Sequence, residues 1–248
     1  MTQRGRVRTE RSLKRVRAIL GGEVVADSTD VLMVWEKPYY PTYYFPEEDV
    51  SAGLVPEDGS GSSPALGESR WYTVKTGHHQ VEKGAYSYPG SPLEEIRGYI
   101  ALVWKAMDHW LEEDEEVYVH PRDPYKRVDI LAGSRHIRIE VEGTTVADTH
   151  RPTLLFETGL PVRYYLPKPD VRLGLLEPSE RRTECPYKGT ARYWSVVAGG
   201  RRHEDLVWSY PFPTHESDRI AGLICFYDEK VDVYVDGQLQ ERPRTVFA

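Results

Sequence analysis

Cys185-Pro186-Tyr187-Lys188-Gly189 is the stretch of this chain whose residue types and spacing could do chemistry. Proline keeps the residue before it out of helix, and Pro186 with Gly189 favours a tight turn. Such a turn projects Cys185, Tyr187 and Lys188 from one hinge. A lysine beside a cysteine lowers the thiol pKa and exposes a nucleophile. Cys185 and Lys188 are therefore the candidate catalytic residues, for a transferase-like or hydrolase-like reaction. No histidine lies near in sequence; His203 and His215 reach this turn only through the fold. Two other readings stand beside catalysis. The turn could contact a ligand, or Cys185 could pack as a small hydrophobe while Lys188 pairs with a carboxylate.

A second set is aromatic: Tyr164, Tyr165, Tyr187, Tyr193, Trp194, Trp208 and Tyr210. Strand neighbours alternate faces, so Tyr164 and Tyr165 cannot both point inward, nor can Tyr193 and Trp194. Flat rings with a hydrogen-bonding tip suit a planar ligand, although strand propensity alone also favours them. The candidate ligand-binding residues are Arg138, Tyr164, Tyr165, Tyr187, Lys188, Trp194, Trp208 and Tyr210. Lys188 and Arg138 would supply positive charge to a small planar or anionic ligand. Glu36 and Glu157, like Arg17 and Arg138, recur at matched positions, which points to a structural job such as a partly buried Arg–Glu pair. Asp27 and Asp148 read as turn residues. The eight histidines are dispersed and His78-His79 diverge on a strand. Without HxH, HxxxH or HExxH spacing, the expectation is no metal and no cofactor.

The elements that position these residues are written twice. Residues 15–50 realign with 136–171 at a constant offset of 121, without a gap. Matched pairs include Gly22/Gly143, Asp27/Asp148, Glu36/Glu157, Tyr43/Tyr164, Tyr44/Tyr165 and Pro46/Pro167. The register resumes at residues 71–74 against 193–196, and at 86–89 against 208–211. Opposite the Cys185–Gly189 stretch the first copy has only Ser63-Pro64-Ala65-Leu66-Gly67, so the reactive set belongs to the second copy. A period this long is a duplicated domain rather than a solenoid repeat. The copies are placed at 12–128 and 133–240, joined near 129–135.

Strand signals dominate both copies. Val16–Leu20, a Gly-Gly turn and Glu23–Ala26 form a hairpin pattern, repeated at Ile137–Val141 and Thr144–Ala147. Short helical turns are expected at Ser91–Glu94, with its capping-box pattern, and at Ser217–Ala221. The fold class is all-β: two tandem pseudo-symmetric domains of antiparallel sheets with short helical turns. Residues 51–69, rich in Gly, Ser and Pro, read as a mobile loop. Residues 105–116 read as an acidic insertion opening on a short helix and shaping a rim. The closing strands are then Val117–Val119 and Val231–Val235.

Lys and Arg total 32 against 39 Asp and Glu, a net charge of −7, which repels nucleic acid and anionic membrane. The basic cluster Arg4, Arg6, Arg8, Arg11, Lys14, Arg15 and Arg17 reads as a solvated tail running into an edge strand. Two cysteines make neither a disulfide framework nor a four-cysteine zinc site. No apolar stretch spans a bilayer and no apolar core follows the basic start, so a cytoplasmic location is expected. The partner expected is a small molecule, with no membrane and no nucleic acid, on a monomer holding an intrachain pseudo-dimer.

The string VADT, FE, YYLP, DVR, CPYKG, YWSV, WSYP, ICFY and VDVYVDG, running from about residue 136 to 237, resembles the bacterial and fungal family called domain of unknown function number 427. The first copy matches the same frame but departs at the CPYKG block. The resemblance implies a compact all-β domain similar to the β-tent group, in which two antiparallel sheets meet steeply. Some members of that group hold zinc between Cys pairs, and this chain has no CxxC. Others bind small ligands or oxidised side chains in aromatic pockets. The nucleotidyltransferase-like label attached to the family finds no support in these residues. That chemistry needs carboxylates for magnesium beside a glycine-rich phosphate loop, and Gly59-Ser60-Gly61 has no strand–turn–helix context. Three functions remain open: a binding module for a small ligand, an enzyme using Cys185 or Lys188, and a protein-interaction scaffold.

Overall fold

The computed structural model describes residues 7–245 apart from Pro38; Arg4 and Arg6 of the basic cluster lie outside the described residues. The chain divides into two compact units, Met1–Asp123 and Pro124–Ala248. Each contains a seven-stranded and a four-stranded antiparallel sheet. In the first unit the large sheet runs Arg8–Arg11, Leu32–Trp35, Thr42–Pro46, Tyr99–Leu102, Gln80–Ser87, Gly67–Lys75, Gly53–Ser63. The second unit repeats that order with Val128–Ala132, Thr153–Glu157, Arg163–Leu166, Ile224–Phe226, Arg201–Ser209, Gly189–Ala198, Leu176–Cys185. The small sheets are built around Val16–Leu20 and Ile137–Val141. The helical turns are short 3-10 segments, Glu94–Ile96 and His215–Ile220 among them. No helix among the described residues is long and apolar enough to cross a membrane.

Period-two patterning fixes which side chain faces where. In Val16–Leu20 and Ile137–Val141 alternate residues are buried, and they pack with one face of the large sheet into the main core of each unit. The other face of each large sheet carries a second cluster. It holds Tyr44, Leu66 and Tyr88 in the first unit, and Tyr165, Tyr193, Trp208, Tyr210 and Cys225 in the second.

Several sequence expectations are corrected here. Residues 51–69 are not a loop: Gly53–Ser63 and Gly67–Lys75 form a hairpin at the sheet edge, with a bulge between Pro56 and Ser60. A proline is tolerated at such an edge bulge, and Leu66, fully buried, anchors the turn. Residues 105–116 are not a helical insertion either. His109–Glu112 pairs with Val16–Leu20 and so occupies the place that Asp232–Val235 takes beside Ile137–Val141. The pattern was hidden because a carboxylate stands at an inward position. Glu112 is buried, pairs with Lys14 and accepts a hydrogen bond from the Tyr43 hydroxyl. Val117–Val119, expected as the closing strand, is irregular, and Val119 has φ +72°. The expected Arg–Glu pairs do not form: Arg17 bonds Asp114, and Arg138 bonds Glu140 and lies over the Tyr234 ring.

Truncating Phe45, fully buried in the main core, to alanine is predicted to cost about 3–5 kcal/mol by denaturant unfolding. Leu13→Ser, at a fully exposed position, is predicted to stay within about 0.5 kcal/mol of the parent.

Candidate functional site

The strands Thr42–Pro46 and Tyr99–Leu102 lie side by side in the first unit, and a cavity of about 490 Å³ opens at their ends. Trp71, Tyr86, Tyr88 and Trp104 supply aromatic wall, with Tyr40 and His120 across from them. The walls are fixed by ring contacts. Trp71 lies 4.9 Å from Tyr86, Trp104 is stacked on Trp110 at 4.5 Å, and Tyr40 is stacked on His120 at 4.0 Å. Glu36 is the acidic group lining this space. Its Oε1 accepts hydrogen bonds from the Tyr44 hydroxyl at 2.8 Å and the Tyr86 hydroxyl at 3.0 Å. No donor meets Oε2 among the described residues. Burial and the Glu36 charge push the Tyr88 hydroxyl up to about 12, and raise Tyr86 further. The phenols thus stay neutral donors and leave the negative charge on Glu36. Lys37 and Lys105 also line the cavity.

The repeat explains why the cavity exists. Thr42 stands where the second unit has Arg163, and Val103 where it has Tyr227, by the matching strand registers. In the second unit Arg163 reaches into the corresponding space. Its two terminal nitrogens donate to Glu229 at 2.8 and 2.6 Å, and its guanidinium lies 5.6 Å from the Trp208 ring. Tyr227 stacks on Tyr193 and lies 4.6 Å from Trp208. Tyr193 and Trp208 are the counterparts of the cavity walls Trp71 and Tyr86. What was open is therefore occupied by a buried ion pair and a ring. A hollow of about 210 Å³ remains nearby, lined by Tyr164, Val162 and Asp228 among others.

The family described as "Domain of unknown function (DUF427)" matches residues 8–113 and 129–237. The chain belongs to this family and carries two tandem copies of its domain. No curated protein matches the chain.

In the second DUF427 copy the Cys185–Gly189 stretch is the turn between Leu176–Cys185 and Gly189–Ala198. Gly189 takes φ +91°, and a Cβ there would meet the Phe212 carbonyl at 3.1 Å, so glycine is required on both counts. The buried Tyr187 gives its carbonyl to the hydroxyls of Thr214 and Ser217. Lys188 forms an ion pair with Glu157, and its side chain is 12% exposed. Burial opposes the ammonium, but the neighbouring Cys185 sulfur and the Glu157 carboxylate outweigh it and hold the Lys188 pKa above its ordinary value. Cys185 is a free, half-buried thiol, while Cys225 is free and fully buried.

The DUF427 fold brings some of the sequence-derived candidates together and separates others. Tyr165, Trp208 and Tyr210 share the outer face of the large sheet. There the Trp208 indole donates to the Tyr165 hydroxyl at 3.2 Å, and Cys185 acts on both tyrosines. Tyr164 and Trp194 pack against the main core on the opposite face. Arg138 lies on the four-stranded sheet. The first-copy set of Glu36, Trp71, Tyr86 and Trp104 was passed over because attention went to the copy with the richer motif. The signal that would have found it is the gapless alignment of Thr42 with Arg163, a small residue facing a large one.

Asp228 beside Arg163 is buried, and desolvation pushes its carboxyl up to about 7, against the Arg163 charge. An unfolded aspartate ionises near pH 4, so between about pH 4 and pH 7 the folded chain retains a proton the unfolded chain has lost. This group therefore lowers stability as pH rises through that window. Relative to the parent, Asp228→Asn is predicted to gain unfolding free energy from about pH 4 to about pH 7 and to hold a constant margin above it. Urea titrations across pH measure this.

Proposed function

We propose that this protein is a small-ligand binding module and that the first DUF427 copy holds the ligand. The observation that carries the reading is a carboxylate inside an aromatic-walled cavity, Glu36, with one oxygen fixed by two phenols and the other lining open space. A cavity of this size with a few convergent polar groups is how ligand sites are built. The favoured ligand is a planar, nitrogen-bearing ring. Its faces stack on Trp71, Tyr86 or Trp104, and an N–H or cationic edge donates to Glu36. Lys37 and Lys105 suit an anionic substituent on the same molecule. The second copy serves the module as a packed domain in which Arg163 and Tyr227 take the ligand's place.

Catalysis at Cys185 or Lys188 is less supported. The Lys188 charge is committed to Glu157, which suits an architectural turn better than an activated nucleophile. The interaction-scaffold reading has no specific surface in its favour.

A thermal-shift panel of nucleosides, nucleoside monophosphates and aromatic amines tests the proposal. A binding compound is predicted to raise the melting temperature of the parent in proportion to its concentration. Glu36→Gln is predicted to weaken that compound by at least about tenfold, since a hydrogen bond to a charged group is worth about 1.5–3 kcal/mol. Equal affinity in the variant, or no shift from any member of the panel, overturns the assignment.

A further inference from the structure

The hairpin of the second unit places side chains together that are distant in sequence. Ile137 pairs with Thr149 across Ile137–Val141 and Thr144–Thr149, so the residues just beyond that rung, His136 and His150, face each other. Asp148, two residues before His150, lies on the same face. His136 Nε2 is 2.7 Å from Asp148 Oδ1. The two imidazole rings are stacked 4.2 Å apart and 13° from parallel. One potential ligand atom from each of the three residues lies within 4.8 Å of the others. His150 makes no hydrogen bond among the described residues, so its ring is held beside the carboxylate by the stack alone.

The first unit shows what this position looks like when it is purely structural. There Val16 pairs with Ser28, which sets Arg15 opposite Thr29. Arg15 closes on Asp27 with two hydrogen bonds of 2.7 and 2.5 Å. The second unit keeps the carboxylate as Asp148 but has His136 for the arginine and His150 for the threonine. The neighbouring Arg138, the register partner of Asp148, turns to Glu140 and Tyr234 instead. A fixed guanidinium–carboxylate pair has become two neutral-capable imidazoles around one carboxylate.

From this geometry we propose that His136, Asp148 and His150 form a binding site for a divalent transition-metal ion of the zinc, nickel and copper class. Two imidazole nitrogens and a carboxylate oxygen are the donor set that these borderline ions take, whereas calcium and magnesium require more oxygens. Zinc bonds of about 2.0–2.2 Å in a tetrahedral site separate donor atoms by roughly 3.3 Å. The ion replaces the proton shared by His136 and Asp148, and the exposed His150 ring turns out of the stack to complete the third bond. Three protein ligands leave at least one position for water, the arrangement of an open rather than a closed site. Linear spacing could not reveal this site, since the ligands are joined by strand register and not by a helical repeat.

Isothermal titration of the full chain with zinc chloride near neutral pH tests the site, using the parent, His136→Ala, His150→Ala and a His78→Ala/His79→Ala control. The result expected is saturable uptake of one ion by the parent and the control. Each site variant is expected to weaken by at least about tenfold, a loss that even outer partners of a metal can carry. Uptake is also expected to fall as the solution is acidified, because protons compete for imidazole nitrogen. Circular dichroism checks that the substitutions, which fall at solvent-accessible positions, leave the fold intact. No saturable uptake by the parent, or uptake that His136→Ala and His150→Ala leave unchanged, overturns the proposal.

Discussion

A carboxylate set against an aromatic sheet face must be paired, and each DUF427 copy answers that constraint differently. Glu36 and Glu157 occupy the same place at the end of the second strand of the large sheet. Leaving such a charge unpaired in a partly dry setting costs several kcal/mol. In the second copy Lys188 supplies the counter-charge from the turn. In the first copy Leu66 stands in place of that lysine, and the phenols of Tyr44 and Tyr86 bind one oxygen of Glu36. The substitutions travel as a set. Where Lys188 satisfies the acid, Tyr86 is replaced by Trp208, whose indole donates to Tyr165 instead.

The same divergence separates a filled space from an open one. An arginine at 163 demands acids, and Glu229 and Asp228 follow on the adjacent strand end. Once that ion pair is buried, Tyr227 closes over Trp208. A threonine at 42 makes no such demand, and Trp104 stacked on Trp110 forms a wall in place of the acids. Duplication thus lets one copy keep a packed, ion-paired interior while its twin devotes the same strand ends to a cavity. The functional proposal follows from this contrast, not from the motif richest in reactive residues.

The all-β class, the gapless repeat and the hairpins around Gly21-Gly22 and Glu142-Gly143 were legible because period-two burial and turn glycines write themselves into sequence. Face assignment was legible too: Tyr165 and Tyr193 went to one face and Tyr164 and Trp194 to the other. Elements failed to show where composition and position disagree. Gly53–Ser63 looks like linker, but as an edge strand it is secured by backbone pairing rather than by its side chains. His109–Glu112 looks like surface, but its inward carboxylate has a lysine and a phenol waiting for it. The cavity itself was invisible because a void is a property of absent atoms, and only the comparison of Thr42 with Arg163 registers that absence.

The central claim is that open space in the first copy, bounded by Val103 where the second copy has Tyr227, is what a ligand occupies. Val103→Tyr writes the closing residue of one copy into the other without touching Glu36. The decisive measurement is the affinity of a compound that stabilises the parent, titrated against this variant by intrinsic tryptophan fluorescence. The account predicts that binding is lost while the unfolding midpoint is retained. Undiminished affinity in a folded Val103→Tyr protein would contradict it.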